Sequence, residues 1–252
     1  DLMLNKSLLS NGLFRNLYEE LFKRVDRLIE ITNMDIEEAY LSAPIMDFYD
    51  TIVSLETLSD NLVYTDDLIE LFGVDALRYY VLHEIPFAQD GNITYELVCE
   101  KSNSDLANTL GNLVNRTIAM TNKYFDGIVE NKNVVDDVDQ ELIDTALAMP
   151  GKVINYMNEF KTAKALEEIF VLLRRTNKYI DDTMPWALAK DETKKDRLAT
   201  VLYNLTEAIR FAAIALEPFI PNASKKILDM INTEERDLMK LDHFGAYASG
   251  TK

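Results

Sequence analysis

Glycine and proline are scarce in this sequence, and their scarcity restricts the fold more than any other feature. The 252 residues include 8 Gly and 6 Pro, which is about 3% and 2%, against a typical usage of about 7% and 5%. Sandwiches, propellers and Gly-rich nucleotide-binding folds need frequent turns, so this composition argues against them. It favours long helices with few connections, and the length is enough for one large domain or two small ones.

Apolar residues recur at helical spacing along most of the chain. The spacing predicts an all-α helical bundle with helices over 13–31, 44–57, 94–124, 139–158, 161–180, 194–216 and 222–232. Between the second and third of these, a helical turn that Thr65-Asp66-Asp67 caps is expected to end at Gly73, and a separate helix is expected to follow and to end before Pro86. Thr94 is expected to cap the helix over 94–124, and Pro150-Gly151 is expected to mark a break or a fresh start in the helix over 139–158. Residues 126–140 are rich in polar side chains and are predicted to form an exposed connection.

The helix over 94–124 has the clearest pattern of two opposite faces. Its polar row contains Asn108, Asn112 and Arg116, which are four residues apart and therefore line up on a regular α-helix. Gly111 lies inside the helix and is expected to permit the close approach of a neighbouring backbone. The predicted buried face contains Leu106, Leu110, Leu113, Thr117, Met120 and Tyr124.

Few residues of the types used in catalysis or metal binding are present. Cys99 is the single cysteine, which excludes a disulfide within the chain and a cysteine-based zinc site. His83 and His243 are far apart in sequence, so we predict no metal site and no catalytic residues. No run of 18 apolar residues and no signal peptide is found, so we expect no membrane association and a cytoplasmic location. A first residue other than Met suggests a piece of a longer protein.

The net charge is −17, from 26 basic and 43 acidic residues. Such a charge opposes non-specific binding to a phosphate backbone, and we expect no DNA binding. Binding to RNA would therefore have to depend on a small local site.

Four strings in the sequence resemble the C-terminal half of bacterial methionyl-tRNA synthetases in order and spacing. The strings are GVDALRYYVLHEIPFAQDGNIT (73–94), SDLANTLGNLVNRTIAMTNKYFDG (104–127), NKYIDDTMPWALAK (177–190) and ALEPFIPNASKKI (215–227). The resemblance covers residues 62–250. It implies the α-helical anticodon-binding domain of a class I aminoacyl-tRNA synthetase over 93–252, preceded by a stem-contact-like segment over 58–92. Residues 1–57 are an additional helical segment that resembles nothing in this family.

The catalytic motifs of the family are absent from the sequence. No His-x-Gly-His string occurs, and residues 54–61 (SLETLSDN) lack both lysines of the KMSKS loop that the family has just before the position of Asn61. The resemblance therefore implies that this chain has no catalytic site and no cofactor of its own. ATP and Mg²⁺ are implied only for the full-length ligase, and its catalytic domain would be a partner if it is supplied separately.

The resemblance also assigns an anticodon-binding site to Asn112, Arg116 and Trp186. In the family, an Asn and an Arg one helical turn apart bind the first anticodon base, a cytosine, and a Trp stacks on it. The chemistry of these side chains fits, because a guanidinium donates to the acceptors of cytosine and a carboxamide both donates and accepts. Asp181 and Asp182 are expected to cap the helix of Trp186.

These observations leave several functional hypotheses open. The first is recognition of the CAU anticodon loop of tRNA(Met), as part of a methionine–tRNA ligase. The second is a catalytically inactive helical scaffold or protein-interaction module, which the charge of −17 and the apolar stripe over 13–28 favour. In a third, residues 1–57 cover the surface left bare by the missing catalytic half.

Overall fold

A computed structural model describes residues 65–85 and 91–252 of the chain. In these ranges, helices α1 to α9 span Thr65–Phe72, Val74–Glu84, Tyr95–Lys101, Asn112–Phe125, Asp137–Asn158, Thr162–Thr183, Pro185–Leu188, Lys195–Leu216 and Pro221–Met230. A π-helical segment and two 3₁₀ turns span Ser102–Gly111, Glu192–Lys194 and Leu238–Lys240. The extended pairing found in these ranges is an isolated antiparallel bridge between Val129 and Thr251. The predicted all-α bundle is confirmed.

The predicted helices over 13–31 and 44–57, and with them the domain 1–57, lie outside the described residues. Residues 65–252 belong to one compact unit. The boundary between residues 58–92 and 93–252 stays a prediction.

The central element of this unit is α8, which packs against α4, α5, α6 and α9. Every residue from Leu198 to Leu216 is buried. Among the described residues, the stretch Glu192–Leu216 has a length and a mean hydropathy of 1.2 that would suffice to cross a membrane, and its apolar window is wholly buried inside the bundle. The apolar composition of α8 is therefore explained by its position between the other helices.

Helix α5 continues through Pro150-Gly151, so the predicted break is wrong. A proline in a helix interior removes one hydrogen bond and costs about 3 kcal/mol. Pro150 is itself buried, and the same face of α5 buries Leu142, Ala146, Met149 and Val153 in the main core. Packing of this face, mainly against α6, stabilises the helix more than one proline destabilises it.

The predicted single helix over 94–124 is divided by the π-helical segment. Thr94 caps α3 as expected, since its hydroxyl accepts a hydrogen bond from the Leu97 amide at 3.2 Å. The Asn112 amide donates to the carbonyl of Ala107, five residues earlier, where an α-helix would use a residue four earlier. A Cβ on Gly111 would lie 3.1 Å from the Leu106 carbonyl oxygen. The backbone that approaches Gly111 is therefore that of its own helix.

Helix α2 ties the N-terminal part of the described chain to the bundle. Gly73, with φ of 82°, separates α1 from α2 as expected. Arg78 donates hydrogen bonds to the carbonyls of Pro218 and Phe219 after the end of α8. The Tyr79 hydroxyl donates to Asp105 at 2.7 Å. Arg78 and Tyr79 thus hold α2 against the rest of the bundle.

A buried carboxylate, that of Asp139, joins three helices at one end of the bundle. Asp139 lies in the first turn of α5 and is 1% exposed. It accepts two hydrogen bonds from the Arg197 guanidinium at 2.6 Å and one from the Tyr179 hydroxyl at 2.6 Å. Arg197 also donates to the Val134 carbonyl at 2.8 Å. Residues 126–140 are predicted to be exposed, which is wrong for Asp139. Its burial is not visible in the local sequence, because its partners on α6 and α8 are distant in the chain.

The hydrogen bonds of Asp139 also set its pKa. Burial alone would raise the pKa of this carboxyl, but the hydrogen bonds from Arg197 and Tyr179 outweigh burial and hold the pKa below its ordinary value. A lowered pKa in the folded state means that the ionised group stabilises the fold above its ordinary pKa. This stabilisation is lost as the pH falls through the folded-state pKa.

Asp139→Asn is therefore expected to destabilise the fold in a pH-dependent way. At neutral pH the free energy of unfolding should fall by about 3–5 kcal/mol, because Arg197 keeps its charge without a charged partner. The difference from the parent chain should shrink below about pH 4, where the parent carboxylate also becomes protonated. Urea unfolding between neutral pH and about pH 3 measures both effects.

Asp137→Asn is the matched control, because Asp137 is exposed in the same first turn of α5. Its effect should stay within about 1 kcal/mol. Equal losses for the two variants, or a loss for Asp139→Asn that does not change with pH, would contradict this account.

Candidate nucleic-acid interface

Asn112 and Arg116 lie on the outer face of α4. Asn112 is exposed and is the first residue of α4, directly after the π-helical segment. Arg116 follows one turn later, and its side chain is 34% exposed. Leu113 and Thr117 point into the core. The amphipathic pattern of α4 therefore places both predicted base-binding side chains towards solvent.

Helix α6 runs beside this face and contacts it at two levels. The Asn177 side-chain amide donates to the Thr109 carbonyl in the π-helical segment at 3.0 Å. One turn further along α6, the carboxylate of Asp181 lies 3.7 Å from the Arg116 guanidinium. The exposed end of Arg116 is therefore next to the last turn of α6.

The chain turns sharply after α6 and presents Trp186. Met184 has φ of 43°, a left-handed conformation that is uncommon for a residue with a side chain. Pro185 then begins α7, a position where the missing N–H of proline is tolerated. Trp186 follows and is 43% exposed. The turn thus leaves a large aromatic face partly open to solvent, five residues after Asp181.

The expected capping of this short helix by Asp181 and Asp182 is wrong. The N-cap of α7 is Met184, which makes no side-chain capping hydrogen bond. Asp181 pairs with Arg116, and Asp182 pairs with the buried Arg175 at 2.9 Å. The reason is that α6 continues to Thr183, so both carboxylates lie on its last turn.

Arg116 thus lies beside the last turn of α6, and Trp186 follows shortly after the end of that helix. Asn112 lies one turn from Arg116 on α4. Their assignment to a base stays a prediction. Two features of this region were not predicted from the sequence. They are the hydrogen bond from Asn177, a residue of one of the family-like strings, to the π-helical segment, and the left-handed turn at Met184. In the described ranges, no group of three or more His, Cys, Asp or Glu side chains forms a metal site.

Two family models match the chain. The model of class I tRNA synthetases of the methionine type matches residues 54–118, and the anticodon-binding domain of methionyl-tRNA ligase matches residues 129–247. Asn112 and Arg116 lie in the first match and Trp186 lies in the second.

Curated relatives agree with these matches. The methionine–tRNA ligase of Caldanaerobacter subterraneus subsp. tengcongensis is 46% identical over 193 residues, which are 76% of this chain and 30% of that protein. The ligase of Clostridium acetobutylicum is 49% identical over 192 residues, with the same coverage. The matched part of this chain thus spans about a third of the length of these relatives.

Solved structures of methionyl-tRNA synthetase from Mycobacterium tuberculosis have the same fold. The free enzyme superposes with a TM-score of 0.70 at 35% identity, over 75% of this chain and 39% of that chain. The complex with methionyl-adenylate gives 0.71 at 35% identity, over 76% and 38%. The described helices are therefore an anticodon-binding bundle of the class I aminoacyl-tRNA synthetases. The chain belongs to the methionine–tRNA ligase family.

The exposure of Trp186 can be tested by fluorescence, because it is the single tryptophan of the chain. A 43% exposed indole should be quenched by acrylamide more than a buried indole and less than the same residue in the unfolded chain. Steady-state quenching of the native chain and of the chain in guanidinium chloride measures both limits. Native emission that acrylamide does not reach would contradict the geometry of the turn.

Proposed function

We propose that this chain binds the anticodon loop of tRNA(Met) and recognises the cytosine of the CAU anticodon, as part of a cytoplasmic methionine–tRNA ligase. Membership of the family supports the proposal. The observation that carries it is the partly exposed Trp186, presented by the turn at the end of α6 whose last turn also contacts Arg116.

Stacking on Trp186 supplies affinity in this proposal. Sequence-specific RNA recognition usually takes a loop base out of its stack and places it against an aromatic side chain. Such stacking contributes about 1–3 kcal/mol per base and tolerates any base, because every base has a π-face. Trp186 therefore strengthens binding and distinguishes little between cytosine and uracil.

Arg116 and Asn112 supply the discrimination. Cytosine presents the acceptors O2 and N3 and an amino donor, which suit the fixed N–H groups of Arg116 and the carboxamide of Asn112. Uracil presents an N–H at position 3, so a donor would face a donor. A buried mismatch of this kind costs about 1–3 kcal/mol, or about 5–150-fold in affinity. Asp181, at 3.7 Å, lies where it can orient the guanidinium.

The same proposal accounts for the acidic composition. Recognition of a base edge by a few side chains needs no basic surface of the kind used in non-specific binding. The binding step requires neither ATP nor Mg²⁺ from this chain. In this proposal, the complete ligase joins methionine to tRNA with ATP. The described residues bind the anticodon loop, and the catalytic domain of the ligase carries out the reaction.

RNA stem-loops with CAU and UAU anticodons test the proposal. The parent chain should bind the CAU loop about 5–150-fold more tightly than the UAU loop, for the reason given above. Trp186→Ala should weaken both complexes by a similar factor, also about 5–150-fold. Arg116→Gln should weaken the CAU complex selectively and so reduce the ratio between the two loops. Gel-shift titration gives the affinities of every variant, because Trp186→Ala removes the single tryptophan and its fluorescence.

Asn115→Ala is the matched control on α4. Asn115 is exposed like Asn112, but it lies beside the row of Asn112 and Arg116 and lines an apolar groove with Val114 and Ile118. Its replacement should leave both affinities unchanged. Equal affinity of the parent chain for the two loops, or no effect of Trp186→Ala, would refute the proposal, and absence of any binding at low salt would favour a scaffold.

A further inference from the structure

Most basic side chains of the described residues are already paired with acidic ones. Ion pairs within 4 Å engage Lys101, Arg116, Lys132, Lys152, Lys161, Arg174, Arg175, Arg197, Arg210, Lys225, Arg236, Lys240 and Lys252. A paired cation offers little to a phosphate, because its charge is largely compensated. The lysines without an acidic partner therefore matter most for an anionic ligand.

Lys194 and Lys195 are exposed and form no ion pair with any residue that the structure describes. Lys194 ends the 3₁₀ turn Glu192–Lys194, and Lys195 begins α8. The turn is held by Asp191, whose carboxylate accepts hydrogen bonds from the amide and the hydroxyl of Thr193 at 3.0 and 2.6 Å. The two lysines thus stand on a fixed backbone with their side chains in solvent.

These lysines lie at the same end of the bundle as the proposed base-binding site. They follow Trp186 by eight and nine residues, and α7, which carries Trp186, packs against α8. Arg197, two residues after Lys195, joins Tyr179 of α6 in binding Asp139. The ends of α6 and α8 are therefore fixed to each other near this surface.

We propose that Lys194 and Lys195 bind phosphates of the anticodon loop beside the nucleotide that stacks on Trp186, an inference that rests on the proposed function. Phosphate contacts position an RNA, and base contacts provide the specificity. Glu192 and Asp196 lie in the same segment, so its net charge is small. The lysines therefore act through direct contacts with individual phosphates.

Direct phosphate contacts have a measurable signature in the salt dependence of binding. Each neutralised phosphate of a single-stranded segment contributes about 0.7 to the slope of log K against log salt concentration. Removing two contacts should lower the magnitude of the slope by about 1.4. The ratio of affinities for CAU and UAU loops should not change, because the phosphates of both loops are alike.

The test uses the full chain with Lys194→Gln and Lys195→Gln together, and CAU and UAU stem-loops between about 50 and 200 mM salt. The control changes another adjacent pair, Lys225→Gln and Lys226→Gln on α9, and removes the same charge. The control lysines are far from Lys195. Ser224, which precedes them on α9, donates a hydrogen bond to the Ala213 carbonyl, and Ala213 lies roughly 27 Å along α8 from Lys195. Lys194→Arg and Lys195→Arg together keep the charge.

The inference predicts a reduced slope for the double variant Lys194→Gln and Lys195→Gln. The α9 pair and the arginine pair should keep the slope of the parent chain. The ratio of affinities for the CAU and UAU loops should stay the same in every variant. An unchanged slope for the first pair overturns it, as does an equal reduction for the α9 pair, which would show a general charge effect. If the parent chain does not distinguish the two loops, the proposed function itself fails. Thermal unfolding of each variant confirms that the fold is intact. If the double glutamine variant unfolds, Lys194→Gln alone and Lys195→Gln alone should each lower the magnitude of the slope by about 0.7, and an unchanged slope for both would overturn the inference.

Discussion

A buried carboxylate, that of Asp139, joins three helices at the end of the bundle that carries the proposed site. Asp139 is removed from water and must be compensated, and its partners come from two other helices, Tyr179 from the last turns of α6 and Arg197 from the first turn of α8. A buried charge tolerates few alternative arrangements, because losing any partner costs several kcal/mol. The network therefore holds the last turns of α6 against the first turn of α8. Trp186 follows the end of α6, and Lys194 precedes the start of α8.

The surface next to this network explains how an acidic chain can belong to an RNA-binding family. The chain has a net charge of −17, and ion pairs engage most of the basic side chains of the described residues. The side chains proposed to contact RNA are few, and they lie on the outer face of α4 and around α7. Asp181 lies 3.7 Å from the Arg116 guanidinium, and the Arg116 side chain stays partly exposed. In the proposed function, a small site with a defined geometry takes the place of a broad positive surface.

The sequence predicted the regular parts of the fold well and the irregular parts poorly. Its apolar spacing located α8, and its local capping chemistry located Thr94 and Gly73. The same local rules failed at Pro150, where packing against α6 keeps the helix intact. They failed again in Ser102–Gly111, because spacing alone does not distinguish hydrogen bonds to the fifth preceding residue from bonds to the fourth. Of the candidate site, the residue types and their family-like strings were visible in sequence, whereas the contact between Arg116 and Asp181 was not.

The sequence by itself determined that the described residues are helical, which side of α4 faces the core, and which family its strings resemble, because these properties depend on spacing and on residues close in sequence. Only the tertiary structure decided that Asp139 lies in the core, that Arg116 faces the last turn of α6, and that Trp186 is left partly open by the left-handed turn at Met184. These features depend on side chains that are far apart in the chain, and the compensation of a buried charge and the packing of one helix on another bring them together.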